Sequence, residues 1–285
     1  MRLNEPHCWI DALKEPTICR SVNVAGADIR FRAWGDEDSD KPVALLIHGY
    51  RGHSHWWDWV APLLTKHYRP IALDFSGMGD SGRRPRYDGA TFIDDLLCVV
   101  DHLDARRVIG IGHSFGGCVL LRACAKRATA FESLVIIDSR VRFPDIADQF
   151  VRMPSVRRPP IPDFTEASAR FRLLPKQPVS YPQLLQHVAG HSLREVVGGW
   201  AWKFDPNLPL APVELDDSDM LRSIVVPVSY IHAERSQVVD NVMAQRIVSE
   251  LRYASGPYVI PFAHHHVMFD KPSELVGVLY EILDC

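Results

Sequence analysis

A serine enclosed by glycines, Gly112-His113-Ser114-Phe115-Gly116-Gly117, stands between two segments able to hold it rigidly. Before it runs Arg107-Val-Ile-Gly-Ile-Gly, a short apolar run suited to a strand; after it, Cys118-Val-Leu-Leu-Arg-Ala-Cys-Ala-Lys-Arg has helical character and no proline. A strand that turns sharply into a helix at a serine strains that residue's backbone and exposes its hydroxyl, and flanking glycines tolerate the close packing. Gly-x-Ser-x-Gly alone is a weak pattern, and it is the strand–turn–helix context that makes Ser114 a candidate nucleophile. Attack on a carbonyl develops an oxyanion, and the backbone N–H of the next residue, Phe115, is placed to meet that charge. Serine also needs a base that titrates near neutrality, and His264, His265 and His266 stand together late in the chain. The outer two could instead join His53 or His55 around a metal. No nearby carboxylate or cysteine pattern supports that, so neither metal nor cofactor is expected.

These residues must be carried by a scaffold. Short β-rich runs alternate with helical patterns, which predicts βαβ units and a mostly parallel sheet. Arg20–Val24 and Ile29–Ala33 form an initial hairpin, followed by strands at Val43–Ile47, Ile71–Leu73, Val108–Ile111, Ser133–Ile137, Val226–Ile231 and Tyr258–Ile260. Helices are expected at His55–Leu64, Gly89–Leu103, Phe115–Arg127, Val238–Leu251 and Pro272–Leu283. The strands are continuously apolar rather than alternating, so helices should cover both sheet faces.

The alternation breaks between about Arg140 and Met220. This stretch is rich in proline, carries helical fragments near Glu166–Leu173 and Pro182–Ala189, and offers no convincing buried strand. Its aromatics, among them Phe164, Phe171, Trp200, Trp202 and Phe204, are too many for a disordered loop. The expected organisation is a core of residues 1–140 and 222–285, with 141–221 inserted as a helical cap.

Composition narrows the partners. The 285 residues carry 32 basic and 35 acidic side chains, a net charge of −3, which argues against an obligatory nucleic-acid or anionic-membrane partner. The apolar runs are too short to span a bilayer. The amino-terminal segment has early acids and no apolar signal core, and the six cysteines are scattered without C-x-x-C. Together these predict a cytoplasmic protein, monomeric or homodimeric, acting on a small molecule.

With the other motifs added, the chain resembles the α/β-hydrolase fold superfamily, in its cap-bearing branch of epoxide hydrolases, carbon–carbon bond hydrolases and small esterases. The likeness rests on His48-Gly49 after the third strand, Asp74-Phe-Ser-Gly-Met-Gly-Asp-Ser81 after the fourth, the serine turn after the fifth, and a histidine shortly before Asp270-Lys-Pro272. It covers most of the chain outside the insertion. The resemblance implies a second oxyanion donor on Tyr50, and its register from histidine to acid and proline places the base at His265. Most relatives carry the third member, an aspartate, where Ser236 stands here. Some place it at the end of the strand after the nucleophile's helix, which in this chain is Asp138. An aspartate closing an apolar strand is costly to desolvate without a partner, so Asp138 is preferred and Glu234 is the alternative. Trp57, His113, Trp200 and Trp202 are candidates to line the substrate site, although the tryptophans equally suit packing.

The expected activity is hydrolysis of a largely apolar carboxylic ester or lactone through an acyl-enzyme. Carbon–carbon cleavage of a vinylogous diketone would use the same triad, but the extended glycine-rich loop of such enzymes is absent after His48-Gly49. Epoxide hydrolysis and dehalogenation need aspartate where Ser114 stands. From another class, a ligand-binding or signalling module with a vestigial triad would fit the displaced acid.

Overall fold

The computed structural model describes residues 6–36, 40–145, 159–208 and 216–284. Helix α1 (Pro6–Ala12) precedes the hairpin β1 (Thr17–Val24) and β2 (Ala27–Trp34). Then follow β3 (Val43–Ile47), α2 (Ala61–Leu64), β4 (Arg69–Leu73), α3 (Gly89–Leu103), β5 (Val108–His113), α4 (Phe115–Lys126) and β6 (Ser133–Ile137). The insertion contributes α5 (Phe164–Ala169), α6 (Pro182–His191), β7 (Leu193–Val196) and β8 (Gly199–Trp202). The core resumes with α7 (Ser218–Ser223), β9 (Val228–Ala233), α8 (Asn241–Glu250), β10 (Ala254–Ile260), α9 (Val267–Asp270) and α10 (Pro272–Leu283).

Eight strands form one sheet in the order β1-β2-β4-β3-β5-β6-β9-β10. β2 runs against both of its neighbours, and the pairs from β4 through to β10 are parallel. Along β3, Val43, Leu45 and Ile47 enter one apolar cluster while Ala44 and Leu46 enter the other. The first cluster is completed by Phe92 and Leu96 of α3, Leu120 of α4 and Ile247 of α8. The second takes Trp57, Trp59, and Leu275 and Leu279 of α10. Both faces are therefore buried, which is why the central strands are apolar at every position. No described helix is long and apolar enough to cross a membrane.

Three expectations are corrected, and one helix lies where none was expected. The single helix over His55–Leu64 is instead a 3-10 turn at Ser54–Trp57 and a separate short helix at Ala61–Leu64, because Pro62 suits a first turn and not an interior. β10 begins at Ala254 and accommodates Pro257 with a register shift, which an edge strand tolerates. Helix α1 was not anticipated. The insertion is not purely helical either: β7 and β8 pair antiparallel, from Leu193↔Trp202 to Val196↔Gly199, around a turn whose glycines Gly198 and Gly199 have φ of 91° and 130°.

The described residues between β6 and α7 are fastened along the carboxyl edge of the sheet. Ser180 N–H donates to Phe269 O at 3.0 Å, Tyr87 hydroxyl donates to Asp205 at 2.8 Å, and the His53 Nε2 and Ser192 Oγ atoms lie 2.8 Å apart.

Candidate active site

Strand register brings the site residues together. His113, the last residue of β5, pairs with Ile137, the last of β6, and Ile137 pairs with Ile231 of β9. One step further on, Ser114 N–H donates to Ile137 O at 3.0 Å and Asp138 N–H to Ile231 O at 2.8 Å. Two polar residues thus leave adjacent strands at the same level. This is the edge at which open parallel sheets place their ligands.

Ser114 has φ 54° and ψ −122°, a left-handed conformation costly to a side-chain-bearing residue. The glycines around it permit this. A Cβ on Gly116 would lie 2.5 Å from His48 O and 2.6 Å from Ile47 O, and one on Gly112 would lie 2.7 Å from the Gly117 Cα. On the other side, a Cβ on Gly49 would reach 3.4 Å from the Ser114 Cβ, so the backbone entering Tyr50 lies against the serine. Phe115 opens α4, where backbone N–H groups have no intrahelical acceptor. The Tyr50 and Phe115 rings meet edge to face at 5.5 Å.

His265 Nε2 lies 2.9 Å from Ser114 Oγ, and His265 Nδ1 lies 2.7 Å from Asp138 Oδ2. Asp138 is wholly buried. Burial alone would raise its carboxyl pKa, but hydrogen bonds from His232 and His265, the charge of His265 and a hydrogen bond from Ser236 together hold it at about 2. His232 Nδ1 is 3.2 Å from Oδ1, Ala233 N–H donates to the same oxygen at 3.1 Å, and Ser236 hydroxyl donates to Oδ2 at 2.5 Å. Ser236 therefore braces the Asp138 carboxylate. Glu234 faces elsewhere: its Oε2 accepts from Phe262 N–H at 2.7 Å. A hydroxyl, an imidazole and an ionised carboxylate in line can move a proton off the hydroxyl and stabilise the resulting imidazolium.

The other histidines of the cluster have different surroundings. His264 Nδ1 lies 2.7 Å from Asp270 Oδ2. His266 reaches the insertion through Gln177, whose Oε1 accepts from His266 N–H at 2.8 Å, and through Leu174 O, 3.1 Å from Nε2. Burial, then the neighbouring His265 and His113, pushes the His266 pKa well below the ordinary imidazole value.

Two residues expected to touch substrate are placed differently. His113 is fully enclosed and its Nε2–H donates to the backbone oxygen of His265 at 2.9 Å, so it holds the histidine loop rather than facing a ligand. Burial, then repulsion from His265, lowers its pKa to about 3. Trp57 is also fully enclosed, in the apolar cluster beneath the loop, because the 3-10 turn points it inward. Trp200 and Trp202 are half-buried on the hairpin, against Phe164 and Phe204 respectively. The braces His232 and Gln177 were missed by sequence reasoning. His232 could have been found as a polar residue one step before the end of a strand, on the same edge as Asp138; nothing local marked Gln177.

Residues 44–278 match the model of the alpha/beta hydrolase family, and the chain belongs to that family. Along its length it is similar to a serine hydrolase-like protein of Danio rerio, 26% identical over 91% of this chain and 86% of that protein. Epoxide hydrolase 3 of Xenopus tropicalis is 20% identical over 92% of this chain and 77% of its own length. Among solved structures, the thioesterase domain from the curacin biosynthetic pathway superposes with a TM-score of 0.77 at 20% identity, covering 93% of this chain and 99% of that one.

Proposed function

We propose that the protein is a serine hydrolase that cleaves a carboxylic ester or lactone through an acyl-enzyme. The observation carrying this reading is the unbroken line from Ser114 Oγ through His265 to Asp138, with spacings of 2.9 and 2.7 Å, built on a strained turn. Ser114 Oγ attacks the acyl carbonyl while His265 Nε2 takes its proton. The oxyanion is received by the backbone N–H groups of Tyr50 and Phe115. Asp138 accepts from His265 Nδ1–H, fixing the tautomer and favouring the imidazolium. That imidazolium protonates the leaving alkoxide as the ester C–O bond breaks. Water, deprotonated by His265, then attacks the acyl-enzyme and releases the acid and free Ser114. Residues 141–221 act as a cap over this site, with Trp200 and Trp202 tuning the acyl group accepted.

The test is covalent labelling by a fluorophosphonate, together with turnover of p-nitrophenyl acetate and butyrate. Ser114→Ala should abolish labelling and lower kcat by at least about 10³-fold. Label retained on Ser114→Ala protein would overturn the assignment, and an unlabelled wild-type protein would favour a ligand-binding role.

A further inference from the structure

Arg51 stands at the seam between the core and the insertion, one residue after Tyr50. Gly52 N–H donates to Gly49 O at 2.9 Å, closing a four-residue turn with Arg51 at its third position. There φ is 58°, in the left-handed region that glycine or asparagine usually occupies at such a turn. A long charged side chain is thus carried at a strained position, on the loop whose Gly49 lies against Ser114. Strain kept beside a nucleophile points to a use for the side chain.

The guanidinium joins that loop to the insertion. Its central carbon lies over the Tyr50 ring at 5.3 Å and over the Phe204 ring at 4.7 Å. Phe204 stacks in turn with Trp202 of β8, and Tyr50 meets Phe115, the residue after the nucleophile, edge to face. Stacking occupies the faces of a guanidinium and leaves the N–H donors, which lie in its plane, for an acceptor. One donor serves the Tyr50 hydroxyl, whose pKa burial raises and Arg51 partly restores. The Arg51 Nε–H is shielded from solvent and meets no acceptor. Arg32, Arg84 and Arg122 are also half-buried, and each pairs with an aspartate: Asp58, Asp95 and Asp217. Among the described residues no carboxylate pairs with Arg51. Asp205, next to Phe204 in sequence, accepts instead from the Tyr87 hydroxyl at 2.8 Å.

We infer that Arg51 receives a carboxylate of the substrate, so that the ester cleaved at Ser114 carries a negative charge; this rests on the hydrolase reading above. A guanidinium grips a carboxylate through two parallel N–H···O bonds and does not deprotonate in proteins. A half-buried setting among aromatic rings strengthens that pairing, since the effective dielectric is lower than in water. The chain's net charge of −3 opposes an anionic substrate, so taking one calls for a local cation. Holding the charged end would also position the acyl carbonyl beside the N–H of Tyr50, one residue away.

The experiment compares two matched pairs of esters. p-Nitrophenyl hemiadipate and p-nitrophenyl hexanoate share acyl length and leaving group and differ in a terminal carboxylate. p-Carboxyphenyl butyrate and p-carbamoylphenyl butyrate place the same difference on the leaving group. In one of the pairs, the ratio of kcat/KM for the charged to the neutral ester should fall at least about tenfold in Arg51→Gln. Arg51→Gly, which suits the positive φ, should show the same fall if the glutamine variant folds poorly. The pair that responds tells whether the carboxylate belongs to the acyl or the leaving group. A loss of rate shared equally by both members of each pair would mean that Arg51 only braces Tyr50, and would overturn the inference. Wild type that labels with fluorophosphonate but cleaves none of these esters would overturn it too, leaving the hydrolase reading intact. Wild type that neither labels nor turns over fails both.

Discussion

His113, His265 and His266 at the sheet edge and His55, His187 and His191 at the seam are the same residue type gathered at similar spacing, yet their surroundings differ. At the edge the rings are buried, at 0%, 3% and 6% exposure, and backbone carbonyls orient two of them: His265 O holds His113, and Leu174 O lies beside His266. The end of β6 fixes the carboxylate of Asp138, while those carbonyls belong to the loops that carry His265 and Leu174. At the seam the rings are half-buried, and two of them, His55 and His187, meet one side-chain carboxylate, Asp58. The first arrangement fixes each ring in one orientation, as proton transfer requires. The second holds two rings through Asp58 and leaves His191 stacked on His55 with no hydrogen bond among the described residues. What a histidine can do is set by the hydrogen-bond partners of its second nitrogen and by what holds them still.

The largest effect that tests this contrast is at Asp138. Under the proposed mechanism Asp138→Asn removes both the fixed tautomer and the stabilised imidazolium, and should lower kcat for p-nitrophenyl butyrate by about 10²–10⁴. Glu234→Gln should leave turnover near wild type, because Glu234 is bonded to Phe262 N–H. The reverse ranking would show that strand register does not choose the acid.

Much of this edge could be read in the sequence. Ser114 announces itself by the turn between an apolar strand and a helix, and the elements that hold it, β3, α3, β6 and α10, have the expected bounds. Asp138 was legible because a charge closing an apolar strand needs a partner. Residues whose placement depends on how a loop lands were not legible. His113 and Trp57 lie next to the site in sequence, but a carbonyl 152 positions away and the inward face of a 3-10 turn take them into the interior. The hairpin of β7 and β8 carries a turn signal in Gly198-Gly199, but its strands are short and half-buried, and so lack a clear two-residue period. The meeting of His55 with α6 has no local mark at all, since it depends on where the insertion docks.

An intermediate effect concerns acid stability. His113 is held at about 3 in the fold, against 6.5 for an unperturbed imidazole. The unfolded chain therefore binds the extra proton. The stability tied to neutral His113 is complete above pH 6.5 and is lost as pH falls from there toward 3. At pH 5 the loss is about 2 kcal/mol, on the order of 1.4 kcal/mol per pH unit. His48, His53 and His266 are also shifted downward by burial and add loss of the same sign. Urea unfolding at pH 7.5 and 5.0 should show a marked loss in wild type, and one smaller by about 2 kcal/mol in His113→Gln, which cannot titrate. Equal losses in the two proteins would mean that His113 is not held neutral.

The smallest effect separates His265 from its neighbour. His264 is adjacent in sequence, has an acidic partner of its own in Asp270, and could be mistaken for the base of a second histidine–acid pair. Its geometry opposes this. Asp270 Oδ2 accepts from the backbone N–H of His264 at 2.8 Å and lies 2.7 Å from its Nδ1, closing a local turn that fixes where the following residue points. Burial raises the Asp270 carboxyl pKa, the opposite of the direction seen at Asp138, so this carboxylate is the poorer stabiliser of a charged imidazole. The backbone N–H contact survives loss of the ring, so His264→Ala should keep more than roughly a tenth of wild-type kcat and label normally with fluorophosphonate. A collapse as deep as that of His265→Ala would transfer the proton-carrying role to His264 and remove the distinction drawn here between rings fixed by the sheet edge and rings that merely lie beside it.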